Sequence, residues 1–108
     1  MAEINTVTEN NETRAPLTVV ATITAGEGQA EAVEAALRTA VAEVTGEPGC
    51  EGYTLHADTE NPQVFMMFER GSSLQALVHH SEAAPFRRLV SALEGRATLS
   101  VATSRPLC

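Results

Sequence analysis

An α+β fold of ferredoxin-like plan, βαββαβ with an antiparallel sheet and a split second helix, is what the 108-residue sequence predicts. Three observations carry it. Four segments are rich in β-branched or apolar residues and bounded by turn signals, one stretch between them repeats its apolar residues at helical spacing, and Pro85 interrupts a second helical stretch.

The first strand is "LTVVATIT", with Leu17, Val19, Ala21 and Ile23 on one face and Thr18, Val20, Thr22 and Thr24 on the other. Two glycines in "AGEGQ" make the turn. Helix one then runs from about Gln29 to Val44, because Ala30, Val33, Leu37, Ala40, Val41 and Val44 recur at helical spacing while Glu31, Glu34, Arg38 and Glu43 fall elsewhere. Gly46 and Pro48-Gly49 end it. "CEGYTLHA" is the second strand, "DTENPQ" a hairpin connection, and "VFMMFER" the third strand, with Val64, Met66 and Phe68 facing one way and Phe65 and Met67 the other. Ser72 or Ser73 can cap a short helix through His79 or His80. Pro85 opens the next helix, "PFRRLVSALEG", which Gly95 terminates before the last strand, "ATLSVATS".

Residues 1–15 are rich in Asn, Thr and Glu without a sustained period, so a disordered leader is expected ahead of one domain over 16–108. No apolar run approaches the roughly 20 residues of a membrane span, and no basic or hydrophobic block suggests a secretory signal, so a cytoplasmic protein without a membrane partner is expected. Fourteen acidic residues stand against seven arginines and no lysine, a net charge of −7 that repels nucleic-acid phosphates. Cys50 and Cys108 form no CxxC pattern; Cys50 reads as a small half-buried hydrophobe and Cys108 as a free thiol on a loose tail.

Strands one and three carry apolar residues on both faces, so the face away from the helices also requires cover, and a single chain of this length has nothing left to supply it. A second copy in a two-fold homodimer would.

Several segments together, "TVVATITAGEGQAEAVEAAL", "EPGCEGYTLHAD", "FMMFER" and "ALVHHSEAAPFRRL", resemble the antibiotic biosynthesis monooxygenase family of small dimeric α+β barrels. The turn Glu47-Pro48-Gly49-Cys50 followed by Gly52-Tyr53 is a shared feature, and the resemblance spans Leu17 to about Pro106. It implies a pocket between sheet and helices, and a family of quinol and polyketide monooxygenases that use oxygen without metal or flavin, haem-degrading enzymes and an isomerase-like enzyme for a phosphorylated sugar. Two departures narrow this. Gly71 follows Glu69-Arg70 where members often carry a tryptophan, and the residues at the three haem-degrading positions are Ala21, Gly71 and Val90, so haem degradation is not expected.

His80 matches a histidine that many members carry six residues before the phenylalanine corresponding to Phe86. Imidazole can take a proton from a phenol and return it, and a phenolate gives an electron to dioxygen more readily than its neutral parent. His79, adjacent on the helix, points about 100° away, and residues 76 and 84 are alanines, so no metal pair is formed. Tyr53 could orient a substrate oxygen or lie buried at a dimer seam; Met66, Phe68 and Phe86 are core residues or apolar walls for a flat aromatic. His56 shares a face with Thr54, and alternation alone does not say which face it is. Glu69 and Arg70 read as separate ion pairs, and Arg87-Arg88 near a helix start calls for an acidic neighbour or an anionic substrate.

The expected function is therefore a homodimeric monooxygenase without cofactor or metal, acting on a quinol-like or polycyclic phenolic compound with O2. The alternatives are an isomerase or binding protein for a phosphorylated or carboxylated metabolite, and a non-catalytic member of the family.

Overall fold

A computed structural model describes residues 16–46, 49–72 and 74–107. The expected leader over 1–15, Glu47 and Pro48 of the turn, Ser73 and the terminal Cys108 lie outside the described residues. The order is β1 (Leu17–Ala25), α1 (Ala30–Val44), β2 (Cys50–Ala57), β3 (Val64–Gly71), α2 (Leu74–Glu82), α3 (Ala84–Leu93) and β4 (Ala97–Ser104). The elements and their order are those the sequence predicts, with α2 running past His80 to Glu82 and α3 beginning one residue before Pro85, at Ala84. Ala83 adopts an extended conformation (φ −77°, ψ 155°), and Pro85 sits inside the first turn of α3, where a missing N–H does no harm.

The four strands form one antiparallel sheet in the order β2-β3-β1-β4. Pairing of Ile23 with Phe65, Ala21 with Met67 and Val19 with Glu69 puts these six side chains on one face, since alternate residues of a strand share a side. Tyr53 and Leu55 of β2 join them opposite Glu69 and Met67, and Leu99 and Val101 of β4 opposite Ile23 and Ala21. This face carries the helices. Val33, Leu37, Ala40 and Val44 of α1 and Leu89 and Leu93 of α3 are buried against it. Ile23, Leu37, Met67, Val33 and Val44 are the largest side chains buried completely, and each contributes about 1.5–3 kcal/mol relative to exposure.

The hairpin between β2 and β3 is held by its own side chains: Asp58 Oδ2 accepts from the backbone N–H groups of Glu60 (3.0 Å) and Asn61 (2.9 Å), and Asn61 Oδ1 from that of Gln63 (3.0 Å). At the other end of β2 a bulge between Cys50 and Gly52 shifts the register. Cys50 pairs with Gly71 and Tyr53 with Glu69, so both turn toward the helices although an odd spacing separates them. Cys50 is half-buried against the core.

Gly49 precedes the bulge at φ +82°, and a Cβ there would lie 2.6 Å from the Ala76 Cβ. The chain needs glycine here for conformation and for the close approach of α2. Gly49→Ala should therefore destabilise the protein by about 1–3 kcal/mol, read from urea midpoints at fixed protein concentration. Adding Ala76→Gly should recover part of the loss; no recovery would mean that the backbone angle alone accounts for it.

Candidate functional site

The helices do not cover the sheet evenly. α1 lies over the β2 side and packs against α3, and α2 touches α3 and β3, but the inner face of β4 is left largely open. Leu99 and Val101 there are 43% and 55% exposed, and Val90 on α3 is 44% exposed. Between these elements lies a cavity of ≈ 250 Å³. Its floor is the sheet, with Val19, Ala21, Ile23 and Met67, and its roof the α3 stripe Phe86, Leu89, Val90 and Leu93. The stripe follows from spacings of three and four, which align one helix face.

Two ionisable side chains enter this apolar enclosure. His80, in the last turn of α2, is 8% exposed, and Glu69 reaches it from β3 with Oε1 3.5 Å from the imidazole Nε2. The contact is long for a hydrogen bond, and a proton gained by the imidazole would meet the carboxylate at close range. Two aromatic rings fix the imidazole edgewise, Tyr53 at 5.8 Å and Phe86 at 5.2 Å between centroids. Ser81, whose hydroxyl donates to the Val78 carbonyl at 2.8 Å, and Thr103 are the other polar residues of the lining.

The expected site residues are thus only partly brought together. His80 and Phe86 meet at the cavity, and His79 points outward and is exposed, as adjacent helical positions require. Tyr53 is 6% exposed on the helix-covered face, beside His80 in the core; it neither lines the cavity nor lies on the outward face, where a dimer seam would be. Met66 and Phe68 require correction as cavity walls. Their neighbours Met67 and Glu69 point to the helices, so by alternation Met66 and Phe68 point to the opposite face and do not reach the cavity.

His56 is on that opposite face as well, bonded to Thr54 (Oγ1 to Nε2, 3.0 Å) and edge-on to Phe68 at 4.8 Å. The need of Arg88 for an acidic neighbour is met by Glu43 of α1, at 2.8 Å, away from the cavity. Glu69 is the residue that sequence reasoning missed. Its signal was present in β3, where it shares the parity of Phe65 and Met67 and so belongs to the same face.

Among the described residues no group of three His, Cys, Asp or Glu side chains is placed to hold a metal ion, and no helix is long and apolar enough to cross a membrane.

Solved structures share the architecture. PA3566 from Pseudomonas aeruginosa is similar at 35% identity and a TM-score of 0.83, over 89% of this chain and 98% of that one. Rv0793 from Mycobacterium tuberculosis is similar at 23% identity and 0.82, over 87% and 97%. SnoaB, a cofactor-independent oxygenase from Streptomyces nogalater, is similar at 16% identity and 0.78, over 87% and 95%, a likeness of fold. A search of curated proteins finds no match. The model of the antibiotic biosynthesis monooxygenase family matches residues 16–92, from β1 through all but the last residue of α3 and short of β4, and the chain belongs to that family.

Proposed function

We propose that the protein is a cofactor-independent monooxygenase that oxidises a quinol-like or polycyclic phenolic small molecule with O2. The observation that carries this reading is the imidazole of His80, buried at the β3 side of a cavity whose other walls are almost entirely apolar. A flat aromatic ring would enter past Val90, Leu99 and Val101 and lie between the α3 stripe and the sheet. Apolar walls suit such a ring, and a few polar groups orient it.

For a hydroquinone the balance is hydroquinone plus O2 giving hydroxyquinone plus water. His80 removes the proton of one hydroxyl, so the O–H bond breaks and an N–H bond forms. The phenolate passes an electron to dioxygen, and the two radicals combine at a ring carbon as a peroxide anion, which takes the proton back from His80 to become a hydroperoxide. The neutral imidazole then accepts that carbon's proton as the O–O bond breaks heterolytically and a carbonyl forms, and the departing hydroxide takes this proton from His80 and leaves as water. Substrate supplies all four electrons that O2 accepts.

The reading as an isomerase or binder for a phosphorylated or carboxylated metabolite rested on Arg87-Arg88. Arg88 is engaged by Glu43 outside the cavity, and neither arginine lines it.

The protein is further proposed to act as a homodimer. Val20, Met66 and Phe68 lie on the outward face of the sheet, with Phe68 36% exposed, and among the described residues no element packs over them. Two such faces placed together would cover each other.

Oxygen uptake with a panel of hydroquinones tests the activity. His80→Ala should lower kcat/KM by about 10²–10⁴-fold with the fold intact, while His79→Ala should leave it within about twofold. Wild-type turnover unaffected by His80→Ala would remove the imidazole from the reaction. For the assembly, sedimentation should give about twice the chain mass of 11.4 kDa, and Phe68→Glu should shift it toward one chain mass, because it places a charge in an apolar seam. A wild-type mass of one chain would overturn the dimer.

A further inference from the structure

Among the described residues Glu69 is the one acidic group that lines the cavity. Glu69 has a side chain only 14% exposed, against 10% for His80, so both are largely withdrawn from water. No arginine lines the cavity among the described residues, and the chain contains no lysine. With the carboxylate ionised, the His80–Glu69 pair carries a charge of −1 while the imidazole is neutral and zero after it has taken a proton.

Two classes of ligand therefore meet different fields. A neutral phenol or hydroquinone brings no charge into the enclosure, and when it hands its proton to His80 the imidazolium is stabilised by the adjacent carboxylate. A carboxylated or phosphorylated ligand arrives with a second negative charge. Weak screening in an apolar cavity makes that repulsion larger than it would be at a surface. Shape alone does not separate the two, because a carboxylate adds little to a naphthalene ring.

We propose that Glu69 is a specificity-determining residue, selecting neutral phenols and hydroquinones and rejecting anionic aromatics of the same shape. This rests on the cavity being the substrate site. The negative net charge of the chain acts in the same direction at long range, whereas Glu69 acts inside the cavity.

The test uses a matched pair of ligands that are not themselves quinols, 2-naphthol and 6-hydroxy-2-naphthoate, titrated into the full-length wild-type, Glu69→Gln and Glu69→Asp proteins by NMR. Wild type should bind the naphthol at least about tenfold more tightly than the naphthoate, a gap of about 1.4 kcal/mol. Glu69→Gln, nearly isosteric and neutral, should bring the ratio to within about threefold, chiefly by strengthening naphthoate binding. Glu69→Asp should keep the wild-type order. Should Glu69→Gln not fold, Glu69→Met, neutral and of similar length, takes its place, with the same narrowing of the ratio expected and an unchanged ratio overturning the proposal.

An unchanged ratio in Glu69→Gln, equal wild-type affinities, or binding of neither ligand would overturn the proposal. Because the readout is binding, it separates from oxygenation. A protein that consumes no oxygen but discriminates by charge keeps this inference and loses the oxygenase reading, and the reverse pattern does the opposite.

Discussion

The pairing of β1 with β3 is the constraint on which the rest of the molecule depends. It sets Ile23 against Phe65, Ala21 against Met67 and Val19 against Glu69, and every one of these side chains faces the helices. A slip of one residue would turn Met67 and Glu69 outward and bring Met66 and Phe68 beneath α1 and α3. The core would then lose a completely buried side chain, and the cavity would lose the carboxylate beside His80. One register therefore fixes both the core and the position of Glu69 beside His80, and complete burial of Ile23 and Met67 depends on it.

Much of this was legible in the sequence. Helical spacing in Ala30–Val44 and turn chemistry in Asp58–Gln63 are local signals, and local hydrogen bonds and packing stripes realise them directly. The identity of the inner face was harder to read. In "VFMMFER" both parities are apolar, so the pattern offers Met66 and Phe68 as readily as Phe65 and Met67, and only pairing with β1 decides between them. The β2 bulge is a second hidden feature. Strict alternation sets Cys50 and Tyr53 on opposite faces, whereas the extra residue brings both inward and places the Tyr53 ring against His80. Glu69 was misjudged for a related reason: at a strand end a charged residue ordinarily ends in solvent, and burial here comes from α2 lying across the end of β3.

Burying an acid and an imidazole in an apolar cavity runs against the stability of the fold. Desolvation of such a pair is recovered only in part by its mutual attraction, and well-packed hydrophobic residues at the same positions would often be as stable or more so. Elsewhere the chain follows the ordinary rule, with ion pairs such as Arg38–Glu34 and Arg88–Glu43 lying at the surface. A departure confined to one cavity, and supported by two aromatic rings that hold the imidazole in place, is the kind of local conflict that functional sites show.

The opening of that cavity follows from how the helices are distributed. α1 lies over the β2 side of the sheet and packs against α3, and the short α2 ends where Ala83 becomes extended, so among the described residues no element covers Leu99 and Val101 fully. A longer helix without the break would carry α3 further along the sheet and displace the Phe86 stripe from its place above Met67. The break also puts His80 in the final turn of α2, next to Phe86, and two backbone hydrogen bonds span it: the Ala83 N–H donates to the His80 carbonyl at 3.1 Å, and the Arg87 N–H to the Ala83 carbonyl at 3.2 Å. The hinge in "HHSEAAPFRR" is thus the feature that brings His80 and Phe86 together at the cavity. An apolar ligand lying against Leu99 and Val101 would bury surface that the chain alone leaves in water, so its binding would complete on the β4 side the same layer of apolar packing that α1 completes on the other.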